Sequence, residues 1–264
     1  MIKEFLPKLL EAVHAASERI LSIYETDFEV ALKEDDSPVT IADKASNEIL
    51  MACLEETAVM IVSEESQIAS YDERKDKDIW LVDPLDGTKD FIRKNGEFCI
   101  CIAFIQNQQA KFGLIASPIQ GEIIFGGDDI RAAKIPFDCE NPFDPKYYLE
   151  QIKNRELNAV IYSRTQISPR IDRFIEQQSQ RFGHIDRIKK GSALKFFDLV
   201  ENKAQAYIRL WPTMEWDIAA GHAIYKSIGG EVIDFANFKP LKYNKEDLHN
   251  PQFIAKPITL NLLQ

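Results

Sequence analysis

The chain has 264 residues, of which 45% are hydrophobic and 28% are charged. This balance is typical of a globular protein and excludes long disordered tracts, and the length fits one compact unit or two closely joined subdomains. With 42 acidic and 32 basic residues the net charge is -10. That charge disfavours binding to nucleic-acid polymers and anionic membranes, but it permits a small phosphate ester accompanied by metal ions.

The N-terminal segment and the four cysteines indicate the cellular setting. Lys3, Glu4, Lys8 and Glu11 interrupt the first apolar segment, so it does not resemble a signal peptide, and no window predicts a membrane-spanning helix. The cysteines lack the paired spacing of metal ligands and are expected to be packed, unpaired thiols. We predict a cytoplasmic protein, and peripheral association with the cytoplasmic face of the membrane stays open.

Two amphipathic helices are predicted near the N-terminus. Apolar residues recur at helical spacing over residues 2–21 and again over residues 41–54, where Asp43 lies near the start and away from the apolar stripe. Between them, a short extended run at 28–32 precedes a polar stretch at 33–38, which we interpret as a mobile loop.

Several apolar runs predict strands, and two of these runs end in carboxylates. Residues 58–62 lead to Glu64 and Glu65, and residues 79–82 lead to Asp83. An antiparallel meander is predicted from three further runs, at residues 98–105, 111–117 and 122–125.

The second half alternates strand-like and helix-like segments, which favours a layered α/β arrangement. These segments cover residues 159–162, 170–180, 192–201, 204–210, 216–228 and 231–233. Pro136, Pro142 and Pro145 interrupt any regular pattern between the two halves. We therefore predict an N-terminal α+β subdomain of residues 1–150 and a C-terminal α/β subdomain of residues 151–264.

Residues 83–88, Asp-Pro-Leu-Asp-Gly-Thr, place two carboxylates three positions apart after an apolar strand. Pro84 stiffens the bend, and Gly87 permits a close approach of the backbone. Such a bend can aim both carboxylates and the carbonyl between them at one point, as Mg2+ requires. Taken alone, the hexapeptide could also be an acidic turn that caps a helix.

Three further segments accompany this motif, and together the four span most of the chain. They are Pro38-Val39-Thr40 with Asp43, Ser-Glu-Glu-Ser at 63–66, and Trp-Asp-Ile-Ala-Ala-Gly at 216–221. In this order they resemble the inositol monophosphatase superfamily of lithium-sensitive, Mg2+-dependent phosphatases. The resemblance implies an α+β fold built as a layered α/β/α/β/α sandwich of the sugar-phosphatase type, and hydrolysis of a phosphomonoester by a metal-activated water.

The same resemblance implies the metal ligands. Glu64, Asp83 and the Leu85 carbonyl would hold a first Mg2+, and Asp83, Asp86 and Asp217 would hold a second. Two divalent cations would reverse the repulsion between these carboxylates and clamp the reacting oxygens.

The resemblance also implies the reacting groups. Asp43 and Thr88 are similar to the pair that orients and deprotonates the attacking water, beside Glu64, and Asp43 is also available to a third, weaker metal site. Gly87 and Thr88 would offer backbone N–H groups to the phosphate at a helix N-terminus, with Asp217 also facing the substrate. The four histidines lie outside the motifs and are expected to be structural or exposed.

A narrower resemblance concerns the substrate. Residues 86–91, Asp-Gly-Thr-Lys-Asp-Phe, and 95–98, Asn-Gly-Glu-Phe, are similar to bacterial 3'(2'),5'-bisphosphate nucleotidases, whereas inositol monophosphatases usually have Thr-Asn after Gly-Thr. In those nucleotidases, residues matching Ser192, Lys195 and Arg209 contact the nucleotide and its second phosphate. Ser192 and Lys195 are expected to share one helix face.

Two features of the same region limit this assignment. Arg187, Lys189 and Lys190 would add positive charge near the nucleotide. Alternatively, Lys189 and Lys190 could form an exposed loop and Lys195 could lie over apolar surface. Residues 163–166, Ser-Arg-Thr-Gln, lack the histidine of the Ser-Arg-Ser-His turn of similar phosphatases, so its base-contacting role is not carried over.

The predicted reaction is hydrolysis of adenosine 3',5'-bisphosphate to AMP and phosphate, with two or three Mg2+ ions, which would clear a by-product of sulfate assimilation. Inositol-1-phosphate hydrolysis on the same fold and a non-catalytic nucleotide or lithium sensor are the alternatives. A haloacid-dehalogenase mechanism is disfavoured, because the motif has one residue too many and Asp83 lies far from the N-terminus. The predicted partner is a small nucleoside bisphosphate, free or sulfated, bound by a monomer or homodimer.

Overall fold

The structure, a computed structural model, describes residues 1–32, 38–164 and 168–262. The predicted loop at 33–38 therefore lies outside the described residues except for Pro38. Thr165 and Gln166, in the turn that departs from the family pattern, lie outside them as well.

The described residues form seven α-helices and fifteen strands. The helices are α1 Ile2–Tyr24, α2 Ile41–Leu54, α3 Tyr71–Arg74, α4 Thr88–Ile92, α5 Pro169–Phe182, α6 Lys195–Val200 and α7 Ala219–Ser227. The strands of the first half are β1 Val30–Leu32, β2 Pro38–Thr40, β3 Met60–Ser63, β4 Ile79–Asp86, β5 Cys99–Gln106, β6 Gln109–Ser117, β7 Glu122–Gly127 and β8 Ala133–Pro136. Those of the second half are β9 Ala159–Ser163, β10 Asp186–Lys190, β11 Ala206–Arg209, β12 Thr213–Met214, β13 Gly230–Asp234, β14 His249–Asn250 and β15 Phe253–Pro257.

A six-stranded sheet has the order β3-β4-β5-β6-β7-β8. Its first two strands are parallel, and all later neighbours are antiparallel, which confirms the predicted meander of β5, β6 and β7. The pairing of β4 with β5 shifts register between Asp83 and Asp86. This irregularity frees the end of β4 to bend toward the neighbouring helices.

A five-stranded sheet has the order β10-β9-β11-β15-β13, with β10, β9 and β11 parallel and the last two pairings antiparallel. Strands β9, β11 and β13 were predicted, whereas β10 and β15 were not. The predicted helices at 192–201 and 216–228 begin later than expected, at Lys195 and Ala219.

Alternation along the strands produces two cores on the two faces of the six-stranded sheet. In β5, the side chains of Cys99 and Cys101 join the core that contains α6, α7 and the inner face of the five-stranded sheet. Ile100 and Ile102 join the core beneath α1 and α2. A third core lies between the other face of the five-stranded sheet and α5. The layers therefore run helix, sheet, helix, sheet, helix, as the predicted sandwich requires.

Side chains from both sheets share the central core, so the two halves of the chain pack against each other there. The subdomain division at residue 150 stays a prediction. Among the described helices, none combines the length and the apolar character needed to cross a bilayer.

Candidate active site

The motif at 83–88 connects the end of β4 to the start of α4. Asp83 is buried, and its Oδ1 accepts a 3.0 Å hydrogen bond from the Leu85 N–H, which closes the bend. Gly87 has a φ of 103°, and a Cβ there would lie 2.7 Å from the Glu97 carbonyl oxygen. Only glycine fits this position without strain, and the chain then enters α4 at Thr88.

Helix α2 brings Asp43 to this bend. Asp43 is 1% exposed, and its Oδ1 accepts a 2.9 Å hydrogen bond from Thr88 Oγ1. Its Oδ2 accepts from the Thr40 N–H at 2.8 Å and from Thr40 Oγ1 at 2.7 Å, which forms a capping box at the start of α2. Burial raises the pKa of Asp43, and the hydrogen bonds from Thr40 and Thr88 oppose that shift.

The same helix face positions two more segments of the site. Ser46 Oγ donates a 2.7 Å hydrogen bond to the Pro84 carbonyl, which fixes the bend after Asp83. Asn47 accepts from Ser63 Oγ at 2.6 Å and donates to Ser66 Oγ at 3.2 Å, so it fixes the turn that carries Glu64. Neither residue was predicted, because each acts through segments distant in the sequence.

Glu64 and Asp217 meet although they lie far apart along the chain. The indole Nε1 of Trp216 donates a 2.9 Å hydrogen bond to Glu64 Oε2, across 152 residues. Asp217 Oδ2 accepts from the Met214 N–H at 3.1 Å, in the turn before α7. The glycine that ends this motif, Gly221, lets α7 pack on α6, because a Cβ there would lie 2.1 Å from the Phe196 ring.

These segments enclose one cavity of about 300 Å3. Ten of the sequence-predicted site residues line it, namely Glu64, Asp83, Leu85, Asp86, Gly87, Thr88, Ser192, Lys195, Arg209 and Asp217. Asp43 lies one hydrogen bond behind Thr88.

Carboxylates on the cavity floor are close enough to share a cation. One oxygen each of Glu64, Asp83 and Asp217 lies within 4.8 Å of the others. Burial, followed by the neighbouring carboxylates, raises the pKa of Asp83 and of Asp217 well above the ordinary value. A set of carboxylate oxygens with a backbone carbonyl nearby suits a hard divalent cation, which would relieve their repulsion. The residues therefore fit the predicted Mg2+.

Asp86 accepts a hydrogen bond from the segment that precedes α6. Its Oδ2 accepts a hydrogen bond from the Ala193 N–H. Burial raises the pKa of Asp86 to about 6, while Lys195 and the Ala193 N–H oppose the shift. Asp86 thus lies between the acidic floor and the cationic wall described next.

Lys195 and Arg209 form the cationic wall. Lys195 is 2% exposed, donates to the Ser192 and Lys190 carbonyls, and lies 5.1 Å from the centre of the Tyr207 ring. Arg209 ends β11 and donates to the Trp211 carbonyl at 3.2 Å. Burial lowers the pKa of Lys195 to about 8, although Asp86 favours the charged form.

Ser192 lies beside this wall, but it precedes helix α6 and is not part of it. The idea that it shares a helix face with Lys195 is wrong, because α6 begins at Lys195 and Ser192 precedes it with a φ of 48°. The left-handed backbone turns the following Ala193 N–H toward Asp86. Strained backbone of this kind is typical of ligand-contacting segments.

Comparison with known proteins supports the same architecture. The model of the inositol monophosphatase family matches residues 1–261. The chain belongs to the inositol monophosphatase family. A relative from Shigella flexneri, the 3'(2'),5'-bisphosphate nucleotidase CysQ, is 32% identical over 253 residues, which are 94% of this chain and 98% of the relative. CysQ of Escherichia coli K12 is 31% identical over the same shares.

Solved structures of the inositol monophosphatase family superpose over nearly the whole chain. CysQ from Bacteroides thetaiotaomicron is 38% identical, with a TM-score of 0.81 over 93% of this chain and 94% of that one. An IMPase from Thermotoga maritima is 20% identical, with a TM-score of 0.74 over 95% and 91% of the two chains, and shows the likeness of fold alone.

Other residues of this family member complete the cavity wall without having been assigned a role from the sequence. They are Lys89, Asp90, Ser163, Ala193, Tyr207, Thr213, Met214 and Ile218. By contrast, Arg187 pairs with Asp172, and Lys190 pairs with Asp198 at 2.6 Å. These two cations therefore balance local acidic groups and do not line the cavity.

Glu97 is a further residue that sequence reasoning passed over. Its Oε2 accepts from the Gly191 N–H at 2.6 Å, and its carboxylate pairs with Arg164. It therefore ties the Ser192 segment and the end of β9 to the six-stranded sheet. Glu97 belongs to the motif at 95–98, which was noted only for its similarity to the nucleotidases. That motif could have pointed to Glu97, but its sequence suggested no physical role.

Proposed function

We propose that this protein is a 3'(2'),5'-bisphosphate nucleotidase that hydrolyses adenosine 3',5'-bisphosphate to AMP and phosphate. Relatives that carry this activity in their names cover nearly the full chain. The observation that carries the proposal is a single cavity lined both by the carboxylates and by Lys195 and Arg209. A substrate with two separate anionic groups matches both surfaces.

Mg2+ would be held by Glu64, Asp83, the Leu85 carbonyl, Asp86 and Asp217. When bound, it supplies Lewis-acid polarisation of the phosphate and neutralises charge that develops in the transition state. The protein contributes a rigid set of oxygen donors, since Trp216 holds Glu64, the Leu85 N–H holds Asp83 and the Met214 N–H holds Asp217.

Thr88 and Asp43 form the group that handles the proton of the attacking water. Thr88 Oγ1 already donates to Asp43 Oδ1, so a water that donates to Thr88 Oγ1 would transfer its proton toward that carboxylate. Its oxygen forms the new bond to phosphorus, the bond from phosphorus to the ribose 3'-oxygen breaks, and that oxygen leaves as a hydroxyl after taking up a proton. Burial favours protonation of Asp43, which suits it to accept a proton.

Lys195, Arg209 and Ser192 would bind the part of the substrate that does not react. The buried Lys195 ammonium already donates to two carbonyls, and a second phosphate would add a charge-assisted hydrogen bond. The first turn of α4 would offer the Gly87 and Thr88 N–H groups to the reacting phosphate, because the first N–H groups of a helix have no partner within it. Inositol 1-phosphate has no second anion for the cationic wall.

A substrate panel tests the proposal. Phosphate release from adenosine 3',5'-bisphosphate, 3'-AMP and inositol 1-phosphate is measured with Mg2+, without it and with Li+ added. We expect the highest kcat/KM on the bisphosphate, no turnover without Mg2+, and inhibition by Li+. A higher kcat/KM on inositol 1-phosphate would assign the alternative substrate, and tight nucleotide binding without turnover would assign a sensor. Cytoplasmic location and a monomeric or homodimeric state stay predictions.

A further inference from the structure

Two thiols lie directly beneath the active-site cavity. Cys99 and Cys101 are two positions apart on β5, so their side chains point to the same face of the sheet, and both are fully buried. Their sulfur atoms are 3.8 Å apart. Cys99 Sγ lies 3.7 Å from Asp86 Oδ2 and 3.6 Å from Ser192 Oγ. Three potential ligand atoms, from Asp86 and the two cysteines, are all within 4.8 Å of one another.

These separations match those between ligands of a tetrahedral soft cation. With Zn–S bonds of about 2.3 Å and Zn–O bonds of about 2.0 Å, tetrahedral geometry places two sulfur ligands about 3.8 Å apart and a sulfur and an oxygen about 3.5 Å apart. The sulfur pair has this distance, and both contacts of Cys99 with oxygen are within a few tenths of an ångström of it. The measured separations around Cys99 therefore need little change to accept a small cation.

A disulfide between Cys99 and Cys101 fits this geometry less well than a cation bound by both sulfur atoms. Residues two apart on one extended strand have Cα atoms about 6.8 Å apart, which is the upper limit for a disulfide. A disulfide between Cys99 and Cys101 would therefore strain the central strand of the sheet, whereas a cation between the sulfur atoms would not require them to approach each other.

We propose that Cys99, Cys101 and Asp86 form a site for a thiophilic divalent cation, such as Zn2+ or Cd2+, which withdraws Asp86 from Mg2+ and inhibits the phosphatase. Ser192 Oγ or a water from the cavity supplies the fourth ligand. Each thiol releases its proton to solvent as its sulfur binds the ion, and no oxidation or reduction occurs. The inhibitory part of this inference rests on the proposed function, whereas the binding part does not.

The position of Asp86 explains why the two cations would compete. Asp86 lines the cavity and also lies in contact with Cys99, so its carboxylate is shared between a hard-ion site made of oxygen donors and a soft-ion site made of sulfur. Thiolates prefer Zn2+ and Cd2+ over Mg2+. Excess Mg2+ should therefore weaken inhibition.

Cd2+ titration of the purified protein, in a buffer free of thiol reductants, tests binding through the ultraviolet sulfur-to-cadmium charge-transfer band. We expect one equivalent of Cd2+ to saturate the band in the wild type. Cys101→Ala should lose most of the band and weaken Cd2+ inhibition at least tenfold, with Mg2+-dependent activity kept. Cys53→Ala removes a buried thiol on α2, distant from Asp86, and serves as the matched control.

The results separate the two claims. A wild type without the band, or a band lost equally in Cys53→Ala and Cys101→Ala, overturns the site. A band in a protein that does not hydrolyse the bisphosphate upholds the site and rejects the proposed function. If Cys101→Ala does not fold, the test is instead a titration of the wild type with Co2+. A tetrahedral site that contains sulfur ligands gives Co2+ an intense visible absorption, and the absence of this absorption rejects the proposal.

Discussion

Thr88 Oγ1 donates a 2.9 Å hydrogen bond to Asp43 Oδ1, although 45 residues separate the two along the chain. The other oxygen of Asp43 is engaged by the Thr40 backbone and hydroxyl. The carboxylate is therefore fixed at the first turn of α2 while it faces the first turn of α4. The capping box gives Asp43 a structural role, the proposed function adds a chemical one, and mutations can distinguish them.

Loss of the hydroxyl at position 88 should reduce turnover without unfolding the protein. We expect Thr88→Val to lower kcat on adenosine 3',5'-bisphosphate by about 100-fold to 10,000-fold, the usual contribution of general base catalysis. Thr88→Ser keeps the hydroxyl and should keep most of the activity. Asp43→Asn should lower kcat by a similar factor and also weaken the cap, which costs about 1 kcal/mol of unfolding free energy. Equal kcat values for the Val and Ser variants would contradict the proposed role.

The cationic wall predicts that loss of its charge raises KM for a substrate with two phosphates more than KM for a substrate with one. Lys195→Met removes the charge and keeps most of the volume, so it should raise KM for the bisphosphate by about 10-fold to 100-fold, as expected for loss of a charge-assisted hydrogen bond of roughly 1.5 to 3 kcal/mol. KM for 3'-AMP, which lacks the second phosphate, should change by less than about threefold. Steady-state kinetics on the two nucleotides measures the difference. A parallel rise on both would place Lys195 at the reacting phosphate instead.

The sequence predicted most of the strands whose apolar runs reflect burial, although the buried strand β15 was missed. The continuous apolar runs of β4 and β5 arise because helices cover both faces of the sheet, and those two strands were predicted. Strand β10, Asp186–Lys190, is mostly exposed and lies at the edge of its sheet. Without a buried face it carries no hydrophobic period, so no pattern could reveal it.

The site was predictable where chemistry and backbone geometry coincide in a short segment. The bend at 83–88 needs a glycine with positive φ beside its carboxylates, and this requirement is visible in the sequence. Ser192 was assigned to the cavity for the wrong structural reason, since its left-handed backbone cannot be inferred from residue spacing. Asn47 and Glu97 act on segments brought close only by the tertiary fold.

Metal binding should reverse a destabilising repulsion. In the metal-free protein the pKa of Asp83 is raised well above its value in the unfolded chain. As the pH rises above the ordinary pKa of aspartate, the unfolded chain loses this proton first, so the folded protein becomes less stable. At pH 8 without metal, Asp83→Asn should therefore be more stable than wild type, by roughly 1 to 3 kcal/mol. Added Mg2+ should raise Tm of the wild type and not that of the variant. Thermal unfolding with and without EDTA checks both, and an equal Mg2+ response would exclude Asp83 as a ligand.

Asn47 should affect metal affinity from outside the metal site. It holds Ser63 and Ser66 on either side of Glu64, and residues that orient metal ligands typically contribute 10-fold to 100-fold in affinity. We expect Asn47→Ala to raise the Mg2+ concentration needed for half-maximal activity by about this factor. The neighbouring Glu48 is exposed on the same helix, so Glu48→Ala is the matched control. A lowered kcat at saturating Mg2+ with unchanged Mg2+ dependence would argue against orientation of Glu64.

His222 should make the fold sensitive to acid. It is 6% exposed on α7, its Nδ1 lies 2.8 Å from the Tyr243 hydroxyl, and burial, with a smaller effect of Lys226, lowers its pKa to about 3. Between pH 6.5 and 3 the unfolded chain binds a proton at this histidine and the folded protein does not, so stability falls with falling pH. From pH 7 to pH 5 this residue should cost about 2 kcal/mol. His222→Gln keeps a polar partner for Tyr243 without titrating, and urea unfolding of both proteins at the two pH values should show that difference. Equal losses in the two proteins would mean that the acid sensitivity arises elsewhere.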